Sequence, residues 1–417
     1  MITPYYQDEP VTLHHGDCLD VLRADDYGYD WNLGYRSARM FPDCSVDAVI
    51  TDPPYGIAFM GKAWDQPGAF GSERRNGSPQ RTQREGLAMD AGRYDLSPAA
   101  MRNFQRWCTA WATECLRILK PGGHLLAFGG SRTWHRLAAG IEDAGFEIRD
   151  SIAWLYAQGF PKSMNLQGGL GTALKPAFEP IVVARKPLAG TVAANVLEYR
   201  TGALNIDACR IPTGDKLGGG STTRGQRMKD GWHRPWMDDP DMVAANAERS
   251  RASVARSEEL GRWPTNVVLD EDQAAALDQQ SGTSTSRVGK PRGAASGAGW
   301  GITATGAEYA DEGGASRFFP VFRYEAKAPT SERPNADGVQ HPTVKPLDLM
   351  RWLVRLVAPA GAVVLEPFAG SGTTAEACVL EDRRCIAIER EADYLPLIVS
   401  RLRKPVQAGL FGLEAGA

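Results

Sequence analysis

Two apolar runs far apart in this chain share one grammar, and that repetition narrows the fold more than any other feature. Ser45-Val46-Asp47-Ala48-Val49-Ile50 runs into Thr51-Asp52-Pro53-Pro54-Tyr55-Gly56. Val363-Val364-Leu365-Glu366 runs into Pro367-Phe368-Ala369-Gly370-Ser371-Gly372-Thr373-Thr374, followed by the helix-like Ala375 to Leu380. Apolar and β-branched residues halted by proline and glycine spell a strand and then a turn. Asp52 and Glu366 therefore lie at strand ends, on one edge of a sheet. Between them, Phe104, Trp107, Trp111, Cys115 and Leu119 recur at helical spacing, and Lys120-Pro121-Gly122-Gly123 precedes a strand over His124 to Phe128. A helix over Thr133 to Ala144 and strands around Glu147 to Tyr156 and Glu179 to Ala184 continue the alternation. The pattern predicts a Rossmann-like α/β fold with a mostly parallel sheet.

Two stretches interrupt it. Gln66 to Arg93 is rich in Gly, Ser, Arg and Gln without apolar periodicity and reads as a long loop beside Asp52, placed like a lid. Residues 191–325 mix polar segments, notably Gly218 to Arg227 and Ser281 to Gly301, with apolar islands such as Trp263 to Leu269 and Phe318 to Phe322. The expected division is a catalytic half over 1–190, an inserted module over 191–325, a second half of the same domain over 326–410, and a tail over 411–417. The 417 residues suit one large α/β unit plus a module.

Composition excludes more than it assigns. With 43% hydrophobic and 23% charged residues the chain falls in the ordinary globular range. Its longest apolar runs are of strand length, so no membrane span is expected. Met1 to Pro10 carries Asp8 and Glu9 and does not read as a secretory signal, which points to a cytoplasmic protein. The 7 cysteines are scattered with no C-x-x-C pair, and the 6 histidines show no ligand spacing, so no metal is expected. A net charge of −3 argues against binding nucleic acid by bulk charge, though not against a locally basic groove.

The Asp52-Pro53-Pro54-Tyr55 turn solves a specific chemical problem. An exocyclic amino nitrogen is a poor nucleophile because its lone pair is delocalised into the ring. The Asp52 carboxylate and the Pro53 main-chain carbonyl can accept its two N–H bonds and favour a pyramidal nitrogen. Proline fixes φ and has no N–H of its own, and the Tyr55 ring can stack on a base taken out of its helix. Alone, the tetrapeptide also fits a plain proline turn with a solvated aspartate. In the second turn, Gly370 and Gly372 allow close backbone approach, and the helix starting near Thr373 offers free N–H groups. A P-loop would need Gly-Lys-Ser/Thr, and no lysine follows Gly372. Glu366 can pair with a ligand ammonium. Glu389, at the next strand end, stands where doubly wound folds bind ribose hydroxyls.

These motifs resemble the amino-methyltransferases of DNA in the β arrangement, where Asp-Pro-Pro-Tyr precedes the glycine-rich motif. His15-Gly16-Asp17-Cys18, Leu119-Lys120-Pro121-Gly122-Gly123 and His341-Pro342-Thr343-Val344-Lys345-Pro346 strengthen the likeness. Thr201 to Asp207 looks like phage and prophage members. The resemblance implies S-adenosylmethionine as cofactor, with Asp17 near its adenine and His341, Thr343 and Lys345 at its methionine end. Phe368, Gly370, Ser371, Gly372, Thr373, Glu366 and Glu389 would complete its site, with Asp52 bordering it and Asp52, Pro53, Pro54 and Tyr55 catalytic. Family members often carry Asp where this chain has Glu366.

The implied partner is double-stranded DNA, with a homodimer and a cognate restriction nuclease left open. Adenine N6 is the expected target, because the resemblance links Asp-Pro-Pro-Tyr more often to adenine and Ser-Pro-Pro-Tyr to cytosine; cytosine N4 is the alternative. A protein-glutamine methyltransferase would resemble Asn-Pro-Pro-Tyr placed after the cofactor turn, the reverse of this order. A DNA-binding protein without catalysis would not need both motifs intact. Arg74, Arg75, Arg81, Arg84 and Arg93 could hold phosphates. Arg224, Arg227, Lys229, Trp232, His233, Arg234 and Trp236 make the module the expected target reader.

Overall fold

The structure is a computed structural model that describes residues 3–30, 34–57, 65, 97–157, 159, 166–214, 238–285, 312–322 and 339–403. The segment 66–93 with its arginines, the basic and aromatic positions between Arg224 and Trp236, and the tail 411–417 lie outside the described residues. The chain divides into two compact units, one made of Met1–Asn205 with Phe322–Ala417, the other of Ile206–Val321.

In the first unit the elements relevant to the site are β1 (Tyr6–Gln7), β2 (Val11–His15), α1 (Cys18–Arg23), β3 (Val46–Thr51), α2 (Pro98–Ile118), β4 (Leu119–Phe128) and α3 (Trp134–Asp143). They continue as β5 (Glu147–Leu155), β6 (Phe178–Arg185), α4 (Leu347–Val357), β7 (Val363–Glu366), α5 (Thr373–Leu380), β8 (Arg384–Glu389) and α6 (Leu395–Leu402). Its strands lie in the order β1-β2-β8-β7-β3-β4-β6-β5. The central run β2-β8-β7-β3-β4 is parallel throughout.

The sheet departs from parallel at its edges. β6 is antiparallel to both β4 and β5, and β1 is antiparallel to β2. A parallel neighbour needs a crossover, usually a helix. Among the described residues between β5 and β6, only the 3-10 turn Gln167–Gly169 is helical. The chain therefore doubles back beside β5, and Glu179 at the start of β6 comes to face the carboxyl end of β4.

α2 begins where Ser97 accepts from the Ala100 amide and Pro98 takes a first-turn position that needs no donor. Its helical-spaced Phe104, Cys108, Trp111 and Cys115 are buried against Val49, Leu125 and Leu365 of the sheet. Burial of such side chains, at about 2 kcal/mol each, is the main force holding helix to sheet. Register is fixed by the buried Asp47, whose carboxylate accepts from the Val363 amide at 2.8 Å and from Lys120 Nζ at 2.6 Å. With β3 locked beside β7, the turns after Thr51 and Glu366 emerge side by side.

The turn before α5 requires glycine. Gly372 has φ +78°, and a Cβ there would lie 2.9 Å from Ile398 Cγ2 and 3.3 Å from the Ile398 main chain. Gly372→Val is expected to destabilise the protein by about 2 kcal/mol or more, from left-handed strain plus overpacking. A denaturant midpoint equal to that of the wild type would contradict this.

The second unit holds the helix Pro240–Leu260, the strand Val267–Asp270, the helix Glu271–Ser281 and the strand pair Ser284–Thr285 with Glu312–Gly313. Asp278 ties it together by accepting from both the amide and the hydroxyl of Ser316, each at 2.7 Å. Among the described residues, no helix is long and apolar enough to cross a membrane.

Candidate active site

The turns after β3 and β7 open into one cavity of about 860 Å³ within the first unit. Asp52, Pro53, Pro54 and Tyr55 line it, as do Glu366, Phe368, Gly370, Ser371, Thr373 and Glu389. Asp17, His341, Thr343 and Lys345 line it too. Of the catalytic and cofactor-binding residues expected from the sequence, Gly372 alone is not on the wall; it shapes the turn from behind.

One corner of the cavity is a network of four polar groups. The Tyr55 hydroxyl donates to Asp52 Oδ1 at 2.8 Å and lies 3.3 Å from Glu179 Oε2. Lys345 Nζ reaches Asp52 Oδ2 at 3.1 Å, Glu179 Oε2 at 2.9 Å and the Tyr55 oxygen at 3.0 Å. The ammonium also sits 4.7 Å from the centre of the Phe128 ring, within cation–π range. Burial opposes the charge on Lys345, but Asp52 and Glu179 outweigh it and hold its pKa above the ordinary lysine value. Burial, then the same two carboxylates, push the Tyr55 phenol well up, so it stays protonated as a donor.

The backbone of this corner is pinned from two sides. Thr133 Oγ1 donates to the Tyr55 carbonyl at 2.8 Å. The buried Asp65 accepts from the amides of Gly56 at 2.6 Å and Ile57 at 3.2 Å. Together they fix the path of the chain leaving the double proline, so that Asp52 and the Pro53 carbonyl are held on rigid backbone.

The other end of the cavity is built on the glycine turn. Glu366 is buried, with Oε1 accepting from Thr51 Oγ1 and from the Phe368 amide at 3.0 Å, and Oε2 from Thr374 Oγ1 at 2.6 Å. Burial nonetheless pushes its pKa up to about 8. Glu389 accepts from the amides of Gly370 and Glu391, each at 2.7 Å, and burial raises it to about 7. Phe368 packs its ring 5.5 Å from those of both Trp107 and Trp111, giving this end an aromatic wall.

Two residues expected at the ligand also have structural duties. Asp17 caps α1 by accepting from the Leu19 amide at 2.9 Å. The His341 ring donates from Nδ1 to the Thr343 carbonyl and stands edge-on to Tyr394. It closes over Gly370, where a Cβ would lie 3.1 Å from His341 Nε2. Lys345, expected at a methionine end, has its ammonium on Asp52 and Glu179 in this structure.

Sequence reasoning missed Glu179, Asp65, Thr133 and Trp107. Glu179 carried a usable signal, an acid heading an otherwise apolar strand, Glu-Pro-Ile-Val-Val-Ala, on the same sheet. Trp107 was visible only as a helical-face residue. Asp65 and Thr133 had no local pattern that set them apart.

Among known proteins, this chain is similar to the type II methyltransferase M.HindIII of Haemophilus influenzae, at 26% identity over 184 residues. That match takes in 39% of this chain and 59% of the relative, so the chain spans less than two thirds of the relative's length. The type II methyltransferase M2.MboI of Moraxella bovis is 45% identical over 58 residues, 14% of this chain and 21% of that one. Among solved structures, the PvuII DNA methyltransferase (cytosine-N4-specific) superposes with a TM-score of 0.46 at 14% identity, covering 97% of this chain and 90% of that one. Residues 46–400, which hold the whole four-group corner and the glycine turn, match the family described as DNA methylase, and the chain belongs to that family.

Proposed function

We propose that this protein is a DNA methyltransferase that carries a methyl group from S-adenosylmethionine to N6 of an adenine flipped out of double-stranded DNA. The carrying observation is that the acceptor pair of Asp52 and the Pro53 carbonyl shares one cavity with the glycine turn and its two buried acids. Nucleophile and donor must meet within a few ångströms, and a common cavity is the geometric requirement for that.

The residues present fit the cofactor. The Glu366 carboxyl, pushed up by burial, gains from an ammonium at its side, and Glu389 keeps lone pairs free for ribose hydroxyls. Phe368 with Trp107 offers an aromatic wall to a purine, beside Asp17. When bound, S-adenosylmethionine supplies a methyl group already activated by its sulfonium. The chain's own part is then to position the amino group: Asp52 and the Pro53 carbonyl accept its two hydrogens, and Tyr55 stacks on the base. The phosphate and base contacts that draw the target out of the duplex are assigned to residues 191–325.

Cofactor affinity is expected to depend on pH in a stated direction. Glu366, raised to about 8, must lose its proton before it can face an ammonium as a carboxylate. Affinity for S-adenosylhomocysteine should therefore weaken as pH falls from about 8 to about 6, by roughly tenfold per unit. Titration calorimetry across that range checks this, and a flat profile would contradict the pairing.

The overall reading is tested by expressing the protein in a host lacking DNA methylation and sequencing the genome for modified bases. N6-methyladenine in one sequence context is expected. N4-methylcytosine would move the target to the alternative base, since Asp52 can accept from either amino group. An unmodified genome, with the protein present and folded, would contradict the reading.

A further inference from the structure

Glu179 has no place in the chemistry described so far, yet its Oε2 lies 2.9 Å from the same ammonium that touches Asp52. The two contacts on Lys345 differ by little, 3.1 Å to Asp52 and 2.9 Å to Glu179. The Tyr55 hydroxyl likewise stands between the two carboxylates. The Phe128 ring under the ammonium and the low exposure of the Lys345 side chain, 11%, leave the lysine little room to withdraw.

The charge balance of this corner decides what Asp52 can do. During transfer, a bond forms between the amino nitrogen and the methyl carbon. The carbon–sulfur bond breaks and leaves its electron pair on sulfur as a neutral thioether. Positive charge thus moves onto the amino nitrogen until one of its protons departs to water. A carboxylate beside that nitrogen favours the change, but a lysine in contact with the same carboxylate cancels most of the field. Asp52 and Lys345 alone sum to zero. With Glu179 the trio carries one net negative charge.

We propose that Glu179 is a positioning residue that absorbs the charge of Lys345, so that Asp52 meets the amino group as an uncancelled anion. Lys345 holds the two acids in register, and Glu179 keeps the lysine from silencing Asp52. This rests on the assignment of Asp52 and of the cofactor made above.

The test uses the purified full chain and two cofactor analogues. Sinefungin carries a protonated amine where the donor carries its methyl group; S-adenosylhomocysteine carries a neutral thioether. The ratio of their affinities by calorimetry reads the field at the transfer point without turnover. Wild type is expected to prefer sinefungin. Glu179→Gln keeps size and an acceptor for Lys345, and should lower that preference by about tenfold while S-adenosylhomocysteine binding is unchanged. Glu179→Asp should retain the preference. Adding Lys345→Met to Glu179→Gln should restore it, and Lys345→Met alone should increase it. An unchanged ratio in Glu179→Gln, or in Lys345→Met, overturns the inference and leaves the cofactor reading standing. A wild-type chain that binds neither compound overturns that reading and the inference with it.

Discussion

Asp52→Ala is expected to lower methyl transfer by about three orders of magnitude while leaving S-adenosylhomocysteine affinity within about threefold of wild type. The carboxylate is the one charged acceptor at the end of β3, and the Pro53 carbonyl can take only one of the two amino hydrogens. Without Asp52 the nitrogen keeps its lone pair in the ring. The corner itself should survive, because Lys345 retains Glu179 and Thr133 still holds the Tyr55 carbonyl. Single-turnover transfer of a labelled methyl group, with calorimetry on the same preparation, separates the two effects. Turnover within about tenfold of wild type would remove Asp52 from the chemistry.

Glu366→Gln is expected to weaken S-adenosylhomocysteine binding by about a hundredfold near pH 8.5, from the loss of a buried charge facing an ammonium. Its stability should move the other way. Glu366 has its folded value raised from the usual 4.5 to about 8. Between those limits the folded protein keeps a proton that the unfolded chain has released, so stability falls as pH rises through that window and stays lower above it. Glutamine removes this pH-dependent loss. Its carbonyl can take the donors of Thr51 and Phe368, and its amide can donate to Thr374 with that hydroxyl reversed. The variant should therefore melt no lower than wild type near pH 8.5 while binding the cofactor poorly. Unchanged binding would put the ammonium elsewhere.

Much of this was legible in the sequence because strand ends and turns are written locally. Val46 to Thr51 and Val363 to Glu366 announce buried strands, and the prolines and glycines after them announce turns, so a shared sheet edge for Asp52 and the glycine loop was readable, while the direct pairing of the two strands was not. Phe104, Trp107, Trp111 and Cys115 announced α2 by their spacing. The direction of β6 was not legible, because its residues read the same in either orientation; the connection decided it. That reversal is what brings Glu179 to Lys345, a pairing between residues that are distant in sequence and share no motif. Asp65 escaped notice for a related reason. Its value lies in two backbone amides it accepts, and no residue pattern records those.

The geometry of the acceptor corner has one chemical output. Double-stranded DNA of mixed sequence, incubated with the purified chain and S-adenosylmethionine labelled in its methyl group, is digested to nucleosides and separated. The label is expected on an exocyclic amino nitrogen, as N6-methyladenosine's deoxy form. Label on a ring carbon such as cytosine C5, or none in DNA under conditions where the cofactor is bound, would contradict the central claim that Asp52 and Pro53 prepare an amino group for transfer.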